Sequence, residues 1–318
     1  MVTSDLAQVA SKLRDAAQVG GLLGGATSYH LASGGKAWRA RLAIACGQAL
    51  GVRRDDRIGL AVACELVHEA SVIQDDIQDA APQRRGQQSA MARFGASTAM
   101  CVCDHLLVSA FAQLASLPCS PDLIRLFATA ISQMAAAQAE EFNPTLWPTM
   151  TWLRYEALIA GKSGAMVVLP VAGAALLAGL PEPDIAELTR AARMLGMAYQ
   201  AGDDVQDLTA DLTSGSLNGV IVRGLNAAGL TTRARWLDIL ARGRLGRLLV
   251  DEAKSATATL LSETALTLDW SLALLSGVSA GLHGRISPRC SPMIPVIDQA
   301  AEELAKRLAP SRASRHAA

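Results

Sequence analysis

The sequence predicts an all-α protein. Apolar residues recur at spacings of three and four almost throughout, alanine and leucine dominate, and alternating strand-like stretches are scarce. The chain has 318 residues, 51% of them hydrophobic, ample for a large core. No repeat with a period of roughly 20–50 residues and no Pro-, Gly- or Ser-rich linker interrupts it, so residues 1–318 read as a single domain, one large helical bundle.

Taken in order, a first helix is expected from Leu6 to Gln18, after which Gly20, Gly21, Gly24 and Gly25 loosen the chain. Ser33-Gly34-Gly35-Lys36-Ala37-Trp38-Arg39 then leads into the apolar run Leu42–Leu50. Glycines before a helix let backbone N–H groups approach an anion, and Lys36 and Arg39, three apart, are expected to share a face there, a phosphate-gripping corner. One long helix should span Ile58–Gln78 and end before Pro82. Further helices are expected over Ala96–Leu117, Pro121–Phe142, Thr151–Gly161 and Asp184–Asp207, with Lys162-Ser163-Gly164 breaking the apolar pattern. A loop at Thr213–Ser216 precedes a helical remainder from Val220 to Leu308, and residues 309–318 read as a disordered tail.

The net charge is zero, which argues against general affinity for nucleic acid or anionic membrane. Ser163–Leu180 holds eighteen uncharged residues, but Pro170, three glycines and the abutting Lys162 favour a buried core helix over a membrane span. The six cysteines are scattered without zinc or disulfide spacing and point to a reducing cytoplasm.

Strong charge is local. Asp75-Asp76-x-x-Asp79 and Asp203-Asp204-x-x-Asp207 are both D-D-x-x-D runs in apolar helical sequence. Residues four apart share a helix face, so Asp75 pairs with Asp79 and Asp203 with Asp207. Carboxylates without thiol or imidazole partners suit Mg²⁺, which shares its coordination shell with substrate phosphates; the pair reads as a metal clamp for a diphosphate. Arg84 and Arg85 follow the first run, and two forked guanidiniums suit separate phosphate groups. His68 lies two turns before Asp75 on nearly the same face, which fits either a ligand or a satisfied core histidine. Lys162 enters a very apolar segment and needs a counter-charge. Ser71 and Ala70, four and five residues before Asp75, lie about one turn deeper, where small side chains also suit close helix packing.

Five ordered blocks resemble the polyprenyl synthetase family: G-G-K-x-x-R at Gly34–Arg39, E-L-x-H at Glu65–His68, D-D-x-x-D-x-x-x-x-R-R-G at Asp75–Gly86, K-S-G at Lys162–Gly164 and Y-Q-x-x-D-D-x-x-D at Tyr199–Asp207. The resemblance implies a helical bundle with both aspartate runs facing a central cavity, as a homodimer. It implies that Asp75, Asp79 and Asp203 hold Mg²⁺ on an allylic diphosphate, with Arg84, Lys162 and Gln200 nearby. Lys36, Arg39, His68 and Arg85 would bind isopentenyl diphosphate. Gln74, Gln88, Ser216 and Val220 depart from the family pattern, Ser216 falling where a lysine is usual. The implied activity is trans-prenyl transfer, and the small Ala70 and Ser71 point to a geranylgeranyl (C20) product. A class I terpene cyclase would carry a different second metal motif, and a non-catalytic partner subunit would be expected to have degraded aspartates.

Overall fold

The computed structural model describes residues 2–16, 18–143 and 145–313. Helices α1 (Val2–Ala16), α2 (Gly21–Ala32), α3 (Trp38–Ala49) and α4 (Arg54–Gln78) come first. A minimal antiparallel hairpin follows, β1 (Gln83–Arg84) and β2 (Gln87–Gln88), with Gln83 opposite Gln88 and Arg84 opposite Gln87. Next are α5 (Ala90–Phe94), α6 (Ala96–Ala115), α7 (Ser120–Glu141), α8 (Leu146–Thr149) and α9 (Trp152–Ile159). A π-helical turn, Ala160–Gly164, runs directly into α10 (Ala165–Leu177), and α11 (Glu182–Ser214) is the longest helix described. The chain closes with α12 (Gly219–Ala227), α13 (Leu230–Arg244), α14 (Val250–Thr257), a 3₁₀ turn at Ala258–Leu260, α15 (Leu261–Ala280) and α16 (Met293–Ala313).

The all-α class is therefore as the sequence predicts, and several local expectations are corrected. The glycine-rich stretch after α1 is helical: Gly24, Ala26, Thr27 and His30 are buried, so tertiary packing overrides the poor helix propensity of glycine. Lys162-Ser163-Gly164 does not break the helix but widens it into the π turn. Helix α11 continues through Thr213 and Ser214, where a loop was expected. Helix α16 carries its backbone past Pro310 to Ala313, so the expected disorder from residue 309 meets helix there, while residues 314–318 lie outside the described residues.

Packing gathers the chain into two compact units. The first comprises Met1–Ile131, Val168–Thr189 and Ile286–Val296; the second comprises Ser132–Val167, Arg190–Arg285 and Ile297–Ala318. Both are assembled from segments distant in sequence, so no linker composition marks them.

In the first unit α4 is the centre, with α1, α3 and α6 packed around it. Two glycines let further neighbours approach α4 closely: a Cβ at Gly59 would press into Leu117, and one at Gly173 on α10 would press into Leu60. The N-terminal two-thirds of α4 is buried on nearly every side. In the second unit Tyr155 is fully buried, and α12 packs against both α9 and α15.

Two helical stretches, Ala96–Ala115 and Trp152–Leu177, are long and apolar enough to cross a membrane by length and composition. The second is mostly buried inside the protein, which fits the core-helix reading of Ser163–Leu180.

Candidate functional site

In the first unit the acidic run closes α4. Asp79 is the C-cap; Ala80 takes φ 48°, Ala81 N–H bonds Asp76 C=O and Ala80 N–H bonds Ile77 C=O, the paired closure of a Schellman motif. Three carboxylates thus crowd the negative end of the helix dipole, where cations are favoured. Arg84 supplies one, reaching Asp76 Oδ1 at 2.6 Å. Asp76 is wholly buried, and its Oδ2 has no hydrogen-bond partner.

Above the run, α4 keeps one half-exposed stripe: His68, Ser71, Val72 and Asp75, continuing to the exposed Asp79. This is the i, i+3, i+4, i+7 spacing of one helix face. Ala70 is off that stripe and 0% exposed, which supports close packing at that position; Ser71 is on it, its hydroxyl donating to His68 C=O at 2.7 Å. Burial holds the His68 imidazole down at about 3, helped by the Arg39 and Arg85 charges and opposed by Glu69, so it is neutral near pH 7.

The Gly34–Ala37 turn precedes α3, with Gly34 at φ 66° and Ala37, the N-cap, at φ 45°. Lys36 therefore sits on the turn while Arg39 lies in the first helical turn, so the shared helical face expected for them is not formed. The N–H of Ala40 is received by the buried Glu65 Oε1 at 2.8 Å, which satisfies a backbone donor at the start of α3. Burial raises the Glu65 carboxyl above its usual range.

Arg85 and Gly86, at φ 51° and 82°, form the two-residue turn between β1 and β2. Two positive φ values in a two-residue hairpin loop are those of a type I′ turn, uncommon for arginine. Glu69 accepts from Arg85 Nη2 at 3.0 Å and Nη1 at 3.2 Å, and His30 Nε2 lies 2.8 Å from Glu69 Oε2. The loop is also tied to α2 through the Tyr29 hydroxyl, which donates to Gln88 C=O at 2.9 Å.

In the second unit Lys162 lies on the π turn and pairs with Glu141 at 3.0 Å, supplying the counter-charge its apolar setting demands. Ser163 Oγ donates to Gln200 Oε1 at 2.6 Å, and Gln200 Nε2 donates to Asp204 Oδ1 at 2.8 Å. Asp204 Oδ2 receives the Tyr155 hydroxyl at 2.7 Å and Gly219 N–H at 2.6 Å. Burial nevertheless pushes Asp204 up to about 6. Asp211, bonded to Asn218 and near Asp204 and Asp207, is pushed up to about 7, again chiefly by burial.

Asp203 is half-buried and Asp207 exposed on α11. Asp203 borders a small pocket with Tyr199, Gln206, Leu304, Arg307 and Leu308, where the Arg307 guanidinium lies 5.0 Å from the centre of the Tyr199 ring. Leu308 can seat there because residue 202 is glycine.

The first unit thus holds Lys36, Arg39, His68, Asp75, Asp79, Arg84 and Arg85, and the second holds Lys162, Gln200 and Asp203. In each run the middle aspartate is buried and structural. Glu69, His30, Tyr155 and Arg307 were not singled out from the sequence. Asp75 and Asp79 present the hard oxygen donors a divalent cation prefers, and the unpartnered Asp76 Oδ2 beside them is an acceptor that a cation or its water would satisfy.

A polyprenyl synthetase family model matches residues 21–216. The octaprenyl diphosphate synthase of Haemophilus influenzae is 30% identical over 60% of this chain and 57% of its own length. The farnesyl diphosphate synthase of Geobacillus stearothermophilus is 32% identical over 58% of this chain and 65% of its own. The aligned part of the chain thus spans less than two thirds of either relative. Among solved structures, a polyprenyl synthase from Caulobacter crescentus CB15, complexed with calcium and isoprenyl diphosphate, superposes with a TM-score of 0.82 at 19% identity, covering 95% of each chain. The all-α fold is shared.

Proposed function

Because the chain belongs to the polyprenyl synthetase family, we propose that both compact units form one synthase domain, a Mg²⁺-dependent trans-prenyltransferase. It joins isopentenyl diphosphate to an allylic diphosphate to give a C20 product. The observation that carries this reading is the half-exposed stripe His68, Ser71, Val72 and Asp75, which runs out of the buried part of α4 to the exposed Asp79 beside the arginine hairpin. A half-exposed face of small and neutral side chains that terminates in carboxylates fits a substrate whose head is a metal-bound diphosphate.

In this reading Asp75, Asp79 and Asp203 hold Mg²⁺, which when bound neutralises charge on the departing diphosphate. Arg84, Lys162 and Gln200 serve the allylic diphosphate. Lys36, Arg39 and Arg85 grip isopentenyl diphosphate, and the neutral His68 contributes a hydrogen bond without a charge. Opposite charges 4 Å apart are worth about 4 kcal/mol at an effective dielectric near 20, so contacts that tighten as the diphosphate leaves lower the barrier substantially. Retention of the basic residues at a second diphosphate site supports a synthase over a cyclase. The matched relatives carry names from farnesyl to nonaprenyl diphosphate synthase; small Ala70 and Ser71 support a product beyond farnesyl.

The assembly we propose is a homodimer, supported by the outward apolar residues Met100 and Val108 on α6, 55% and 66% exposed. A reducing cytoplasm suits the six free thiols.

The test is purified protein with isopentenyl diphosphate, C5, C10 or C15 allylic primers, and Mg²⁺, with products sized by mass spectrometry. Linear elongation supports the reading. Cyclised hydrocarbon, or no product without an added partner synthase, overturns it.

A further inference from the structure

Glu69 is a buried carboxylate with three donors: two from the Arg85 guanidinium, at 3.0 and 3.2 Å, and one from the buried His30, at 2.8 Å. Arg85 Nη1 also lies 3.2 Å from Ser33 Oγ. The glycine turn forms the other wall. A Cβ on Gly35 would stand 3.3 Å from Arg85 Nη2, tighter than side chains ordinarily pack. Arg85 is thus held by its turn, by a two-pronged carboxylate, by a hydroxyl and by a side-chain-free floor, while 24% of its side chain stays exposed.

The ligand atoms of Glu65, His68 and Glu69 lie within 4.8 Å of one another, a spacing a metal could use. The hydrogen bonds assign these groups differently. Glu65 receives the Ala40 N–H, and Glu69 is filled by its three donors. A carboxylate held down at about 2 by its His30 and Arg85 bonds, against burial, has only acceptors to offer, so His30 Nε2 is the donor in the pair. Its other partner is an arginine that a diphosphate can reach.

We propose that His30 and Glu69 are positioning residues for Arg85: the pair fixes the plane of the guanidinium so that its outer edge is presented ready-oriented to the diphosphate of isopentenyl diphosphate. This rests on the assignment of Arg85 to that substrate. Bidentate carboxylate pairing sets geometry as well as energy, and a pre-oriented fork loses less freedom on binding than a swinging one.

The experiment measures binding of isopentenyl diphosphate to the full chain by titration calorimetry, with dimethylallyl diphosphate as the control ligand. Glu69→Gln removes the charge and one of the paired acceptors, and should weaken isopentenyl diphosphate binding by about ten-fold, the scale of one charged hydrogen bond. Binding of the control ligand should be unchanged. His30→Gln should give a smaller loss of the same kind. Gly35→Ala, at an exposed position remote from the core, pushes Arg85 from the opposite side and carries the test if Glu69→Gln does not fold. In an Arg85→Ala background none of these changes should weaken binding further, because each acts through Arg85. Loss in Arg85→Ala with unchanged binding in Glu69→Gln and Gly35→Ala, or losses that add in the double variants, overturns the positioning role alone. Unchanged binding in Arg85→Ala overturns the assignment of Arg85 and the positioning role with it.

Discussion

The Tyr155 hydroxyl donates to Asp204 Oδ2 across 2.7 Å, joining α9 to the second aspartate run inside the core of the second unit. Tyr155→Phe keeps the ring and removes the donor, leaving a buried carboxylate with one fewer partner. The expected cost is about 1–3 kcal/mol of unfolding free energy, with a further rise of the Asp204 pKa above about 6. Denaturant titration of the two proteins measures it; equal midpoints would show that Gln200 and Gly219 satisfy Asp204 by themselves.

His68 gives the first unit an acid-sensitive limb. Its folded value, about 3, lies below its ordinary 6.5. A basic group depressed in this way stabilises the fold above its unfolded value, and that stability is lost as pH falls from about 6.5 towards 3, because the unfolded chain takes up the proton first. The slope reaches at most about 1.4 kcal/mol per pH unit. Asp204 and Asp211, raised to about 6 and 7, act in the opposite sense, adding stability as pH falls through 7 towards 4. His68→Gln should therefore flatten the acid side of a stability-versus-pH curve while leaving the carboxylate contribution intact. Parallel curves for wild type and variant would remove the argument.

Ser71 and Ala70 should respond differently to the same enlargement. Ser71→Phe places a ring on the half-exposed stripe and should shorten the product in the primer-elongation assay with little change in stability. Ala70→Phe should shorten the product as well, but it must enter a closed core, at a cost of about 1–3 kcal/mol. If product length is the same in both variants and in wild type, neither residue limits the chain.

Mg²⁺ should stabilise the protein without any substrate turnover. At one hundred times its Kd a ligand of the native state adds about 2.7 kcal/mol. Asp75→Asn should abolish most of that gain in a thermal-shift titration, whereas Asp104→Asn, at an exposed site on α6, should not. A Mg²⁺-dependent shift that survives Asp75→Asn would place the ion elsewhere.

The class of the fold was legible because 3.6-residue periodicity is written along nearly the whole chain. The exceptions have physical causes. Gly20, Gly21, Gly24 and Gly25 read as a loosened segment because propensity is local, whereas burial of Gly24, Ala26 and His30 is not. The β1–β2 hairpin is too short for an alternating signal, and its turn uses Arg85 at a position where asparagine or glycine is the usual cue. Asp75 and Asp79 could be placed by counting residues, and the same counting turns Asp76 about 100° away, towards the core. Glu69 is adjacent to His68 in sequence, but nothing local reveals that its partners are His30 and Arg85, 39 and 16 residues distant. The two-unit organisation left no mark because each unit is assembled from separate stretches of chain.

The π turn at Ala160–Gly164 has a consequence for insertions and deletions. Such a turn takes up one residue more than regular winding allows. Trimming a single residue there would let the rod from Trp152 to Leu177 continue as regular helix with everything downstream keeping nearly its present phase relative to Tyr155, whereas trimming one from the regular helix on either side would rotate everything beyond it by about 100°. Helical content measured by circular dichroism would barely register the change. The turn is thus the one stretch of this rod that can lose a residue without re-aiming its neighbours, and the cost would fall locally, at the junction with Gly196, where only a hydrogen fits beneath the Ser163 carbonyl.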